Sequence, residues 1–172
     1  MTSEKNIQNN WYVLYTKPRH EFKAALQLDE NNFHHYLPTV TTLKQWSDRK
    51  KKVTEPIFRS YIFFRGTEKE RLNALQLPSI VSTVCFRGNP AVVPEWQIYN
   101  LKKMLEGNPE IFVTEQITTG THVKVVSGPF EGVEGIVTYV QNQRNLAVSI
   151  ETLHRSILVT LPAESVTKKV ES

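Results

Sequence analysis

The chain has one cysteine, Cys85, in 172 residues. A single thiol excludes an intramolecular disulfide and leaves too few thiolates for a cysteine-based zinc site, which fits a reducing cytoplasm. Set in the apolar run SIVSTVCF, it reads as a buried small hydrophobe rather than a nucleophile. Long apolar runs are missing as well. No window approaches the roughly 20 apolar residues that cross a bilayer, and MTSEKNIQNN at the start carries no apolar signal core. A soluble cytoplasmic chain without membrane contact is expected, with residues 1–10 as a disordered lead. The histidines, His20, His34, His35, His122 and His154, form no H-x-x-x-H or H-E-x-x-H spacing, and adjacent His34 and His35 would point to opposite faces of a strand. No G-x-S-x-G or phosphate-loop pattern occurs. No catalytic residue, no metal ligand and no cofactor is expected, and the chain is read as a non-enzyme.

What is present is a globular mixture, 40% hydrophobic and 22% charged, long enough for one ordinary domain or two small ones. The net charge of +4 and a pI near 9.2 favour a polyanionic partner without naming one.

Along the chain, WYVLYT (Trp11 to Thr16) is β-branched and aromatic and reads as a strand. Phe22, Ala25, Leu26 and Phe33 then recur near helical spacing, predicting a helix over 19–32. HHYLPTVTTLKQW and KVTEPIFRSYIFFRG, joined by the polar turn SDRKK, read as a long hairpin followed by a core strand. Thr67 and Glu70 stand in capping-box spacing before Leu72, Leu75 and Leu77, with Pro78 as the stop. SIVSTVCF and AVV read as strands. Pro94 to Gly107 reads as a third helix with Trp96, Ile98, Leu101 and Leu105 on its apolar side. Interleaved strands and helices over 11–107 predict an α+β sandwich with a mostly antiparallel sheet. Residues 108–118 read as a linker, and 119–168 as a small all-β barrel of four or five short strands.

The most specific local signal is GTHVKVVSGPFEGVEGIVTYV, in which Val123, Val125, Gly128, Pro129, Phe130, Gly132, Gly135 and Val137 fit the pattern V-x-V-x-x-G-P-F-x-G-x-x-G-x-V. This stretch resembles the KOW motif. WYVLYTKP, EPIFRSYIFFRG and FRGNPAVVP, in that order, resemble the NGN domain of NusG-type transcription elongation factors. Because EPIF..YIF and RGNPAVVP fit the RfaH and UpxY antiterminators better than the general factor, the chain looks closest to those specialised paralogues. The fold implied is an NGN α/β sandwich over 11–107 followed by an SH3-like KOW barrel.

Function and sites follow from the resemblance. It implies a monomeric factor that binds RNA polymerase and promotes processive elongation or antitermination, as a specialised paralogue for particular operons. The alternatives are a general NusG-like factor coupling polymerase to ribosome or Rho, and a ribosome- or RNA-binding KOW protein. Phe58 and Tyr61 match the aromatic positions that hold the β′ clamp helices, with Tyr15 and Phe63 on the same apolar surface, and Thr67 at a helix start turned toward the β lobe. Arg49, Lys50, Lys51 and Lys52, together with Lys17, Arg19 and His20, are the candidate contacts to nucleic acid, non-template DNA among them. Leu153 and Arg155 occupy the strand pair that meets ribosomal protein S10 or Rho, although Leu153 and His154 replace the Phe-Gly pair of the general factor. The barrel's β-branched strands argue against an all-helical alternative.

EPIFRSYIFF raises a question of geometry. Simple alternation puts Ile57, Arg59, Tyr61 and Phe63 on one face and Phe58, Ser60, Ile62 and Phe64 on the other. The resemblance assigns Phe58 and Tyr61 to the same partner. A bulge or bend near Arg59 and Ser60 is therefore expected.

Overall fold

The computed structural model describes residues 8–171, so most of the expected lead lies outside the described residues. Two compact units divide the chain at Val93 and Pro94. The expected boundary after Gly107 follows the third helix, whereas this division precedes it.

The first unit opens with β1 (Asn10–Thr16) and α1 (Glu21–Glu30). Next come β2 (His34–Tyr36), β3 (Thr39–Gln45), β4 (Lys50–Pro56), β5 (Tyr61–Gly66) and α2 (Glu68–Ala74). The unit ends with β6 (Ile80–Thr83), β7 (Cys85–Phe86), β8 (Asn89–Pro90) and β9 (Val92–Val93). Its main sheet runs β2-β5-β1-β6 with β9 also on β1, and all pairings are antiparallel. Alternation divides β1 and β5 cleanly. Tyr12, Leu14, Ile62 and Phe64 form one core with Ala24 and Leu28 of α1 and Ala74 of α2, while Trp11, Val13 and Phe63 are buried on the opposite face.

Helix α1 corrects the periodic reading. Phe22 and Leu26 are exposed, while Glu21, Ala24 and Leu28 face inward. The Glu21 carboxylate accepts the Ser60 backbone N–H at 2.7 Å, and this anchor turns the small residue Ala24, rather than Phe22, toward the sheet. In α2 the expected capping box forms in full, with Thr67 and Glu70 exchanging side-chain and backbone bonds. Leu72 is nevertheless exposed, and Arg71 is buried in its place. The guanidinium bonds Glu68 and the Thr83 hydroxyl and lies 5.6 Å over the Tyr12 ring. Cys85 is also corrected, because it is exposed. SIVSTVCF breaks at Val84, and β7 leaves β1 to pair with β8 around the Arg87-Gly88 turn.

The second unit begins with α3 (Glu95–Leu105). Its strands are β10 (Phe112–Glu115), β11 (Thr121–Ser127), β12 (Glu134–Val140), β13 (Gln143–Ile150), β14 (Arg155–Thr160) and β15 (Val166–Lys169), all in one antiparallel sheet ordered β10-β14-β13-β12-β11-β15. Strand β10 falls in the stretch expected to be linker. It is exposed at every residue yet pairs along β14 from Phe112↔Leu158 to Glu115↔Arg155, so backbone pairing rather than apolar burial holds it, and periodicity had nothing to register. In α3, Ile98, Leu101 and Met104 are buried and Trp96 is exposed. This helix packs on β13, and Asn100 accepts the Glu134 N–H at 3.1 Å. Strand β13 is correspondingly buried at consecutive residues from Asn145 to Val148.

Candidate functional site

The segment Ile57–Ser60 is the bend that the aromatic pattern called for. Ser60 takes a left-handed conformation at φ 66°, and the Tyr61 N–H donates to the Phe58 carbonyl at 3.3 Å. Ser60 is held from both sides, since its N–H donates to Glu21 and its carbonyl accepts the Thr16 N–H at 2.8 Å. The turn breaks alternation before β5 begins, which brings Phe58 onto the Tyr61 and Phe63 side. Phe58 meets Phe63 edge to face at 6.1 Å, and Tyr15 meets Tyr61, its register partner, at 5.5 Å. The structure therefore gathers Tyr15, Phe58, Tyr61 and Phe63 into one cluster. Within it Phe58 and Phe63 are only 5% and 1% exposed; Tyr15 and Tyr61 are half-buried and present the accessible surface. Thr67 lies away from this cluster beyond the end of β5, with its hydroxyl committed to the α2 cap.

Tyr36 belongs to the same cluster and was not foreseen. Opposite Phe63 in register, it stacks on that ring at 6.2 Å and 24°; an aromatic at a two-residue spacing in HHY was the available signal. Burial pushes its hydroxyl up to about 12. The protonated form is thus favoured by folding. Its contribution is complete below the unfolded value near 10 and is lost as pH rises from about 10 to 12. Alkaline titration followed by circular dichroism should show stability falling over that window by roughly 3 kcal/mol, and Tyr36→Phe should flatten the fall.

The basic candidates occupy two places. Lys17 and Arg19 are exposed in the turn after β1, where Arg19 has φ 63°. His20 Nδ1 lies 3.2 Å from the Ser79 hydroxyl. Arg19, Phe22 and Arg59 line a groove of about 590 Å³ that runs to Thr54 and Pro56 at the base of the β3–β4 hairpin. Arg49, Lys50, Lys51 and Lys52 lie toward the far end of that hairpin, from roughly 7 Å of strand beyond Thr54 for Lys52 to roughly 16 Å for Arg49 at the usual rise per residue. The hairpin forms its own two-stranded sheet. Lys44 pairs with Glu55 across it at 2.8 Å, and the Lys44 ammonium, with a smaller effect of Arg59, holds the Glu55 carboxyl below its ordinary value.

In the second unit Leu153 ends a single 3-10 turn, Glu151–Leu153, and is half-buried. His154 adopts φ 50°, a left-handed conformation that glycine takes without strain. Arg155 is exposed at the start of β14 and donates to the His154 carbonyl at 3.2 Å. The β14 edge beside it is taken by β10. Among the described residues no cluster of three potential metal ligands occurs, and no helix is long and apolar enough to cross a membrane.

Residues 9–102 match the family model described as transcription termination factor nusG, which is more than half of the chain. The chain belongs to the NusG family. Residues 119–151 also match the KOW motif. The fold is similar to that of a structure titled "Domain interaction in Thermotoga maritima NusG", at 20% identity, with 95% of this chain and 98% of that chain covered and a TM-score of 0.51. A structure of the MjSpt4:Spt5 complex aligns over 93% of this chain and 97% of its own at 16% identity and a TM-score of 0.30. Members of the NusG family are non-enzymatic transcription factors that act in elongation and interact with RNA polymerase.

Proposed function

We propose that the chain is a specialised NusG paralogue that holds RNA polymerase through the aromatic cluster and keeps it elongating past pause and termination signals. The turn at Ile57–Ser60 carries this reading. It places four aromatics together, two buried as a platform and two, Tyr15 and Tyr61, open to a helix pair such as the β′ clamp helices. The start of α2 near Thr67 faces the β lobe. Bridging the two sides of the DNA cleft would favour the closed clamp by differential binding to that state. The two basic sets attract nucleic acid, including non-template DNA, through phosphate. The polymerase-binding domain extends to Gly107 and the KOW domain spans 119–168, supported by family matches that reach residue 102 and resume at 119. Leu153 and Arg155 contact the KOW partner, S10 or Rho. EPIF..YIF and RGNPAVVP support the specialised subtype, acting in the cytoplasm as a monomer.

Retention on immobilised core polymerase after nuclease treatment tests the reading. The native chain should stay bound, and Tyr61→Ala combined with Tyr15→Ala should lower retention at least tenfold. Retention that vanishes with nuclease would identify an RNA-binding module instead. Uniform occupancy of all genes would contradict the specialised subtype.

A further inference from the structure

The hairpin tip carries a feature that phosphate attraction alone leaves unexplained. Trp46 sits beside the turn, its backbone N–H donating to the Arg49 carbonyl at 2.8 Å, and it is 52% exposed. The Lys51 ammonium stands 5.2 Å from the indole centroid. Three residues before Trp46, Leu43 is 65% exposed opposite Lys52. From Thr42 to Lys52 every residue of the ribbon is exposed, so no core of this unit claims the indole. Lys44 is offset by Glu55, which leaves Arg49, Lys50, Lys51 and Lys52 against Asp48 alone. A large exposed ring with a lysine over it, on a tip that carries three further cations, has the composition of a surface that stacks bases while neutralising phosphates. A duplex hides its base faces within the stack; an unpaired strand exposes them.

We propose that the tip of the β3–β4 hairpin is a stacking platform for an unpaired segment of DNA, with the Trp46 indole taking a base and Arg49, Lys50 and Lys52 neutralising the flanking phosphates. The inference rests on the nucleic-acid reading of the basic run and adds to it a preference for single over double strands. Lys51, held over the ring, fixes the indole and adds positive charge at the stacking face. Because stacking is blind to base identity, the platform would bind without sequence preference.

Fluorescence anisotropy with the full chain and a labelled 12-nucleotide oligothymidylate, its duplex with oligoadenylate and the matching oligouridylate provides the test. Trp46→Ala should weaken binding to the single-stranded DNA about tenfold and leave duplex affinity and the salt slope unchanged. Trp46→Phe should recover most of the loss. Lys50→Ala should instead weaken both forms and lower the single-strand salt slope by about 0.7. Equal affinity of Trp46→Ala and native chain for the oligothymidylate, the same loss on duplex, or tighter binding of the oligouridylate would each overturn the proposal. Polymerase retention through Tyr15 and Tyr61 does not involve Trp46 and stands or falls separately.

Discussion

Phe58→Ala should lower the stability of the first unit by about 3–5 kcal/mol, among the larger losses a single truncation produces. The ring is 5% exposed and packs edge to face on Phe63, which is itself 1% exposed and stacked on Tyr36. Removing it opens a cavity under a turn whose geometry depends on that packing, because the Phe58 carbonyl accepts the Tyr61 N–H and Ser60 occupies a left-handed conformation. Urea unfolding followed by the emission of Trp11, buried at 2%, reads this unit directly. Phe58→Leu, which refills most of the volume, should lose less than half as much. An unchanged midpoint for Phe58→Ala would show that the ring is not part of the core. Under the proposed function, lost polymerase retention in Phe58→Ala would reflect a damaged platform, whereas Tyr61→Ala would remove a half-buried proposed contact and leave Phe58 and Phe63 in place.

Gly135→Ala should destabilise the second unit by about 2–3 kcal/mol through overpacking. Gly135 lies in β12, opposite Val123 of β11. A Cβ there would overlap the Ala147 carbonyl oxygen and approach Leu146 Cδ1 to 3.1 Å. The first obstacle is backbone, so relief requires prising β12 from β13 along the Ile136↔Ala147 pairing. Gly132 offers a contrast within the same motif. Its φ of 90° disfavours alanine, but the only heavy atom near an added Cβ is the Tyr99 hydroxyl at 3.7 Å, so Gly132→Ala should lose about 1 kcal/mol. Amide exchange at Val137 and Leu146 should accelerate strongly in Gly135→Ala and little in Gly132→Ala. Equal acceleration in the two would locate the strain in backbone conformation rather than in the β12–β13 contact.

Much of the fold was legible in the residues because its determinants are local. The capping box of Thr67 and Glu70 needs four consecutive positions, and the KOW glycines need a single turn and one close approach. Alternation in YIFF assigned both faces of β5 correctly once that strand began. Even the bend before it was legible, since Phe58 and Tyr61 could share a side only if the chain departed from a straight strand between them.

Where the reading failed, a distant partner had decided the matter. Helix α1 turned on a buried carboxylate bonded to Ser60, and nothing in EFKAALQL announces that Glu21 would be inside while Phe22 stayed out. Cys85 left its apolar run because β7 found β8 rather than β1. Strand β10 exists because β14 had an edge to pair. Nothing in TTLKQW marks Trp46 as an exposed ring; that depends on the β3–β4 ribbon lying outside any core.

The sequence by itself determined the two kinds of unit, the order of most of their elements and membership of the NusG family, because hydrophobic period, turn chemistry and motif spacing are properties of neighbouring residues. Tertiary structure alone decided which aromatics are platform and which are surface. Exposure depends on the register of β1, β2 and β5 and on the Glu21–Ser60 bond, contacts between residues far apart in the chain.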